Sequence, residues 1–166
     1  MELDEPGWPL IDDFVHQLSE GRKPETTRRY ERVRQRLTHF LDTAEMAFDL
    51  GTAEMTLLEA EREFHEHGAF WLLYGPTELV ACLPGFISEP WLAESAGEAR
   101  VQISVVSRLV AALHKSGLIT AVSHADAVRA VAYARKQLDR RSALQSRDSG
   151  EIKIPRRLLG KPTAEW

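Results

Sequence analysis

The 166-residue sequence predicts an all-α fold, a compact bundle of about five to six helices. Two patterns and one bulk property point to it. Apolar residues recur at three- and four-residue intervals through most of the chain, and Pro, Gly and hydroxyl residues stand where those windows begin and end, as helix boundaries require. The composition, 43% hydrophobic and 28% charged, suits one domain with a sizeable core.

The first helix opens at Pro9, a residue suited to a first turn, and Leu10, Ile11, Phe14, Val15 and Leu18 make one stripe before Gly21. The second runs from near Pro24 to about Thr43, with Tyr30, Val33, Leu37, Phe40 and Leu41 on one face. In the third, Thr56 and Glu59 form a capping-box pattern; Leu57, Leu58, Ala60 and Phe64 are its apolar residues and Gly68 closes it. The apolar stretches 69–74 and 79–83 lie between Gly75-Pro76, Pro84-Gly85 and Glu89-Pro90 and read as short helices or buried connectors. Residues 95–98 read as a loop. From 99 to 116, Val101, Ile103 and Val105 alternate like a strand, yet Ile103, Val106, Leu109, Val110 and Leu113 keep helical spacing over a longer window. Length favours a helix, capped by Gly117. Ser123 then opens an Ala-rich helix to about Arg141, with Val128, Val131, Ala132 and Leu138 inward. The polar remainder carries Gly150, Pro155, Gly160 and Pro162. The expected organisation is a helical domain over 1–145 and a tail or interdomain linker over 146–166.

Several chemistries are poorly supplied. Cys82 is the only cysteine, which excludes a disulfide framework and a cysteine-rich zinc site; it lies in an apolar segment and reads as core. No apolar run approaches the ~20 residues of a membrane span. The acidic N-terminus lacks the apolar region of a secretory signal, so a cytoplasmic protein without a membrane partner is expected. Glu63, His65, Glu66 and His67 cluster at a helix end, but on a helix the two histidines point about 200° apart and suit its negative dipole end. His114 and His124 are isolated in sequence. There is no Gly-rich phosphate loop and no Gly-x-Ser-x-Gly. The carboxylates of 38–66 read as a solvated acidic surface. No cofactor, metal or catalytic residue is expected.

The net charge of −4 hides a segregation. Residues 1–21 carry six acids and no Lys or Arg, whereas 22–37 carry seven bases against Glu25 and Glu31. Residues 38–100 carry twelve acids against Arg62 and Arg100. Positive charge returns from 135 to 161, with nine bases against three acids. Local clusters of this kind set the field that a phosphate backbone feels.

On the second helix, Arg28, Arg32 and Arg36 stack at i, i+4 and i+8 opposite the apolar face, and Arg29 and Arg34 flank that face. An arginine row offers rigid donor forks for phosphate or guanine edges. Thr26 and Thr27 stand in the first turn, where hydroxyls and backbone N–H groups hold phosphate. On the 99–116 helix, Arg100, Ser104, Ser107, Arg108, Ala111 and Lys115 share the face away from the apolar one. Small and basic residues together let a helix approach a duplex closely.

Trp8-Pro9-Leu10-Ile11-Asp12-Asp13-Phe14, Lys23-Pro24-Glu25-Thr26-Thr27-Arg28-Arg29-Tyr30, and then Leu37 and Phe40-Leu41 resemble the first two helices of the core-binding domain of tyrosine recombinases and phage integrases. That domain is the SAM-like N-terminal helical domain, in which a Pro-x-Thr-x-x-x-Tyr run begins the second helix. Residues 106–109, Leu113 and Gly117-Leu118-Ile119 look like its last core helix and following turn. Ile154-Pro155-Arg156-Arg157-Leu158-Leu159 is similar to its interdomain linker. The resemblance spans about half the chain. It implies a SAM-like core with extra helices that clamps one face of double-stranded DNA. Lys23, Thr26, Thr27, Arg28, Arg29, Arg32 and Arg36 would form one contact; Arg100, Ser104, Arg108 and Lys115 would form the other. The chain itself or a recombinase partner is implied as a second partner. The sequence departs from the pattern at Lys23, where a small capping residue is usual, in the longer 68–98 connection, and in the added Ala-rich helix. The family's catalytic domain, with its two arginines, lysine, histidine and nucleophilic tyrosine, has no room in the sequence, so strand cleavage is not expected. The alternative is a helical protein–protein module, with Trp8, Trp71, Trp91 and Trp166 as candidate anchors.

Overall fold

A computed structural model describes residues 8–149. Among them the chain is all-helical. In order the helices are α1 (Trp8–Ser19), α2 (Pro24–Thr43), α3 (Ala47–Leu50), α4 (Thr52–Phe64), α5 (Ala69–Leu73), α6 (Pro76–Phe86), α7 (Ala96–Lys115) and α8 (Ala121–Asp148). The count exceeds the expected five to six because α3 and α5 are single turns. The linker-like residues 154–159 lie outside the described residues, as does Trp166.

The apolar stripes become one core. Ile11 and Val15 of α1, Val33, Leu37, Phe40 and Leu41 of α2, and Ile103, Val106, Leu109 and Val110 of α7 are all buried. Helix α7 is central: it packs against α2 on one side and α8 on the other, while α6 lies against both α7 and α8. Helix α3 bridges α4 and α6, and α5 joins α4 to α2. Phe40 packs edge-on against Trp91, with ring centroids 5.2 Å apart. Trp71 is buried and Trp91 half-buried, so neither stands out as an exposed anchor.

Helix ends explain most differences from the sequence-based expectation. Helix α4 begins at Thr52 rather than Thr56; Gly51, at φ +103°, makes the turn from α3, a conformation glycine adopts cheaply. Thr56 lies inside the helix, its hydroxyl donating to the Thr52 carbonyl. Residues 96–98 are not a loop. Ser95 is the N-cap of α7 and its Oγ accepts from the Glu98 N–H at 3.2 Å, which satisfies one of the free donors of the first turn. Thr120, not Ser123, caps α8, accepting from the Ser123 N–H at 3.1 Å. Helix α8 runs past Arg141 and across the expected 145/146 boundary to Asp148. Its buried line is Ala127, Val131, Ala134 and Leu138, while Val128 and Ala132 face solvent. Gly117 does end α7 as expected: at φ +72° it lets the Leu118 N–H reach back to the Leu113 carbonyl at 3.0 Å, a helix-ending turn that favours glycine.

One polar side chain lies wholly inside. Gln102 of α7 is 0% exposed. Its Nε2 donates to the carbonyls of Phe86 (2.8 Å) and Trp91 (3.1 Å), and its Oε1 accepts from the Ala93 N–H at 3.0 Å. It thereby fastens the long α6–α7 connection to the core. Its interactions replace those that buried backbone groups would otherwise lose.

Candidate nucleic-acid interface

Helices α2 and α7 lie side by side, and their cationic side chains meet along the seam. Arg32 grips Glu98 of α7 with two donors, Nη2 at 2.9 Å and Nε at 3.4 Å. Arg29 pairs with Glu25 at 3.1 Å and stands 3.9 Å from the same Glu98. Arg36, half-buried, donates to the Gln102 Oε1 at 3.1 Å. Arg108 of α7 donates to the Tyr30 hydroxyl of α2 at 3.3 Å. Arg28 is exposed and has no partner among the described residues. Around Glu25 and Glu98 the seam gathers Arg29, Arg32 and Arg36, an excess of positive charge, while Arg108 meets α2 at Tyr30.

The arginine row of α2 is therefore not a free row. Only Arg28 is unengaged; Arg32 and Arg36 reach across to α7. Glu98 is the residue that sequence reading missed, because 95–98 looked like a loop. Once Ser95 caps the helix, Glu98 falls in the first turn of α7, where an acid is favoured by the helix dipole. The Arg32 hydrogen bonds hold the Glu98 carboxyl below its ordinary value, with burial opposing and the Arg29 and Arg36 charges assisting. The same bonds push Arg32 up. Arg34 is committed elsewhere, to Glu31 at 2.6 Å and Asp12 of α1 at 3.1 Å, and the Arg34 hydrogen bond lowers the Glu31 carboxyl.

The remaining candidates divide. Lys23 is the N-cap residue of α2, exposed and without a side-chain capping bond. Thr26 and Thr27 are half-buried, and the Thr27 N–H is taken by the Lys23 carbonyl at 3.1 Å, so that donor is not free for phosphate. Ser104 is half-buried and Lys115 exposed in the last turn of α7. Arg100 lines a recess of about 280 Å³ with Arg135, Leu138 and Asp139 of α8, so it belongs to the other flank of α7.

His67 contacts Asp42 at 3.1 Å and His65 contacts Glu61 at 3.2 Å, different partners in different directions. Among the described residues no group of three or more metal-ligating side chains converges. Burial pushes the Cys82 thiol up to about 12, leaving it protonated at neutral pH. No helix of the described residues is long and apolar enough to cross a membrane. No family model, curated protein or solved structure matches the chain.

Proposed function

We propose that this chain is a DNA-binding module of the core-binding type, which lays the α2–α7 seam against one face of a duplex and has no strand-cleaving role of its own. One observation carries the reading: arginines from two separate helices share one seam, with Arg28 unengaged, Arg29 held by Glu25 and Arg32 by Glu98. Glu98 keeps the Arg32 guanidinium extended and ordered in the absence of a ligand. A phosphate oxygen competes for the same donor forks, so binding exchanges a carboxylate partner for a phosphate one. Arg28, Arg32 and Arg108 supply the first contacts, Lys23 and the Thr26 hydroxyl border the start of α2, and Ser104 and Lys115 extend the surface along α7; Arg100, on the other flank, takes no part.

The test is an anisotropy titration of a labelled duplex over a salt series. Neutralising ~4–6 phosphates makes affinity fall steeply with salt. Replacing Arg28 and Arg108 by alanine weakens binding at every sequence and reduces the magnitude of the log–log slope by roughly two. A parent chain that ignores DNA at low salt, or a double variant that binds like the parent, overturns the reading.

A second reading, a helical protein–protein module, is favoured by a different feature: Phe48, Leu57 and Phe64 stand out into solvent, Phe48 at 98% exposure. These side chains lie outside the α2–α7 seam, so the two readings describe different surfaces.

A further inference from the structure

Helix α4 buries one face and presents a second apolar face outward. Met55 and Leu58 are in the core, whereas Ala53, Leu57, Ala60 and Phe64 are exposed, Leu57 at 52% and Phe64 at 80%. These four fall at i, i+4, i+7 and i+11, which makes one straight stripe. At ~100° per residue, Glu54 and Glu61 border it on one side and Glu59 and Glu63 on the other. The one base of the helix, Arg62, is turned inward, donating to the carbonyls of Leu41 at 2.6 Å and Ala44 at 2.9 Å. The result is an apolar ridge between two acidic rows.

Helix α8 carries the complementary face. Away from its buried line, Lys136, Arg140 and Arg147 stand exposed in one row with Arg129, at i, i+7, i+11 and i+18 counted from Arg129, which is itself paired to Asp126. Tyr133 and Leu144, both 64% exposed, lie beside this basic row.

We infer that α4 of one copy docks on the outer face of α8 of a second copy. Charge decides the occupant. Two α4 ridges brought together would set acidic rows against acidic rows, which opposes association. The α8 face offers opposite charge and apolar surface at once, and it is present in every molecule at the same concentration as α4. The contact is head-to-tail, so copies join into a ring or an open row. One helix on one helix buries less than ~1,200 Å², the range of weak and transient contacts, and its ionic part fades with salt. No residue of the α2–α7 seam takes part, so the inference stands apart from DNA binding and is tested without nucleic acid.

The experiment is sedimentation of the full chain at low salt across a concentration series. The parent self-associates, and added salt weakens the association. Glu59→Lys with Glu63→Lys on α4, and separately Lys136→Glu with Arg140→Glu on α8, each reduce the association constant by roughly tenfold. All four side chains are exposed, so the helical circular dichroism of each variant matches the parent. Mixing the two charge-reversed proteins restores association, because each then offers the other a complementary face. Three results overturn the inference. One is a parent that stays monomeric, including one whose α4 binds only a foreign basic peptide. Another is association lost with the α4 reversal yet kept with the α8 reversal. The third is a mixture that stays as dissociated as its components.

Discussion

Helices α2 and α4 are both amphipathic, and both carry charge on the side away from their buried residues, yet the two outer faces meet different fates. The outer arginines of α2 lie beside a second helix, and Glu98 and Gln102 of α7 take up Arg32 and Arg36. Among the described residues the outer face of α4 meets no such neighbour, and leaves Leu57 and Phe64 exposed among acids. Helical periodicity tells which side chains share a face. It does not tell whether another helix covers that face, and that difference separates an engaged, ordered cationic seam from an open apolar ridge.

The sharpest break of this comparison uses two adjacent residues of α4. Leu58→Ala empties a fully buried site, at 0% exposure, and costs about 3 kcal/mol. Leu57→Ala, on the outer ridge, costs about 0.5 kcal/mol or less. Urea unfolding of both variants checks it; equal losses would mean that α4 does not sit with Leu58 inward and Leu57 outward.

A smaller effect comes from the arginine-paired carboxylates of α7 and α2, Glu98 in the seam and Glu31 beside α1. Glu98 and Glu31 titrate below the ordinary glutamate value of 4.5 in the folded chain, both chiefly through arginine hydrogen bonds. Their pairs therefore stabilise the fold fully above the unfolded-state value, and that stabilisation is lost as pH falls through the lowered folded values. Urea midpoints measured from neutral to acid pH should drop less steeply in a Glu98→Gln, Glu31→Gln double variant than in the parent. Parallel curves would show that these pairs contribute nothing to acid sensitivity.

Much of the architecture was legible from residue spacing. The inward faces of α2 and α7 follow directly from Tyr30, Val33 and Leu37 and from Ile103, Val106 and Leu109, because burial enforces the 3.6-residue period there. Boundaries were less legible. Ser95 and Thr120 cap their helices with single hydroxyls; Ser123 offered an equally good signal for α8, and the strand-like alternation of Val101, Ile103 and Val105 obscured the start of α7. The inward line of α8 was misplaced by a fraction of a turn, since alanines mark either face equally well. The candidate interface was legible as a set of arginines and illegible as a seam. Nothing local to Arg32 or Glu98, 66 residues apart, records that they touch, and nothing in the residue spacing marks Gln102 as buried. Arg100 is exposed as expected, but it lines a recess with Arg135 and Asp139 of α8, away from α2.

The most direct measurement is the affinity of Glu98→Gln for a duplex at low salt, set beside that of the parent. Removing the carboxylate that holds Arg32 should release its guanidinium to phosphate, leave Arg29 on Glu25, and tighten binding by about three- to tenfold. An unchanged or weakened affinity, in a variant with the parent's helical content, would contradict a DNA-facing seam restrained by Glu98.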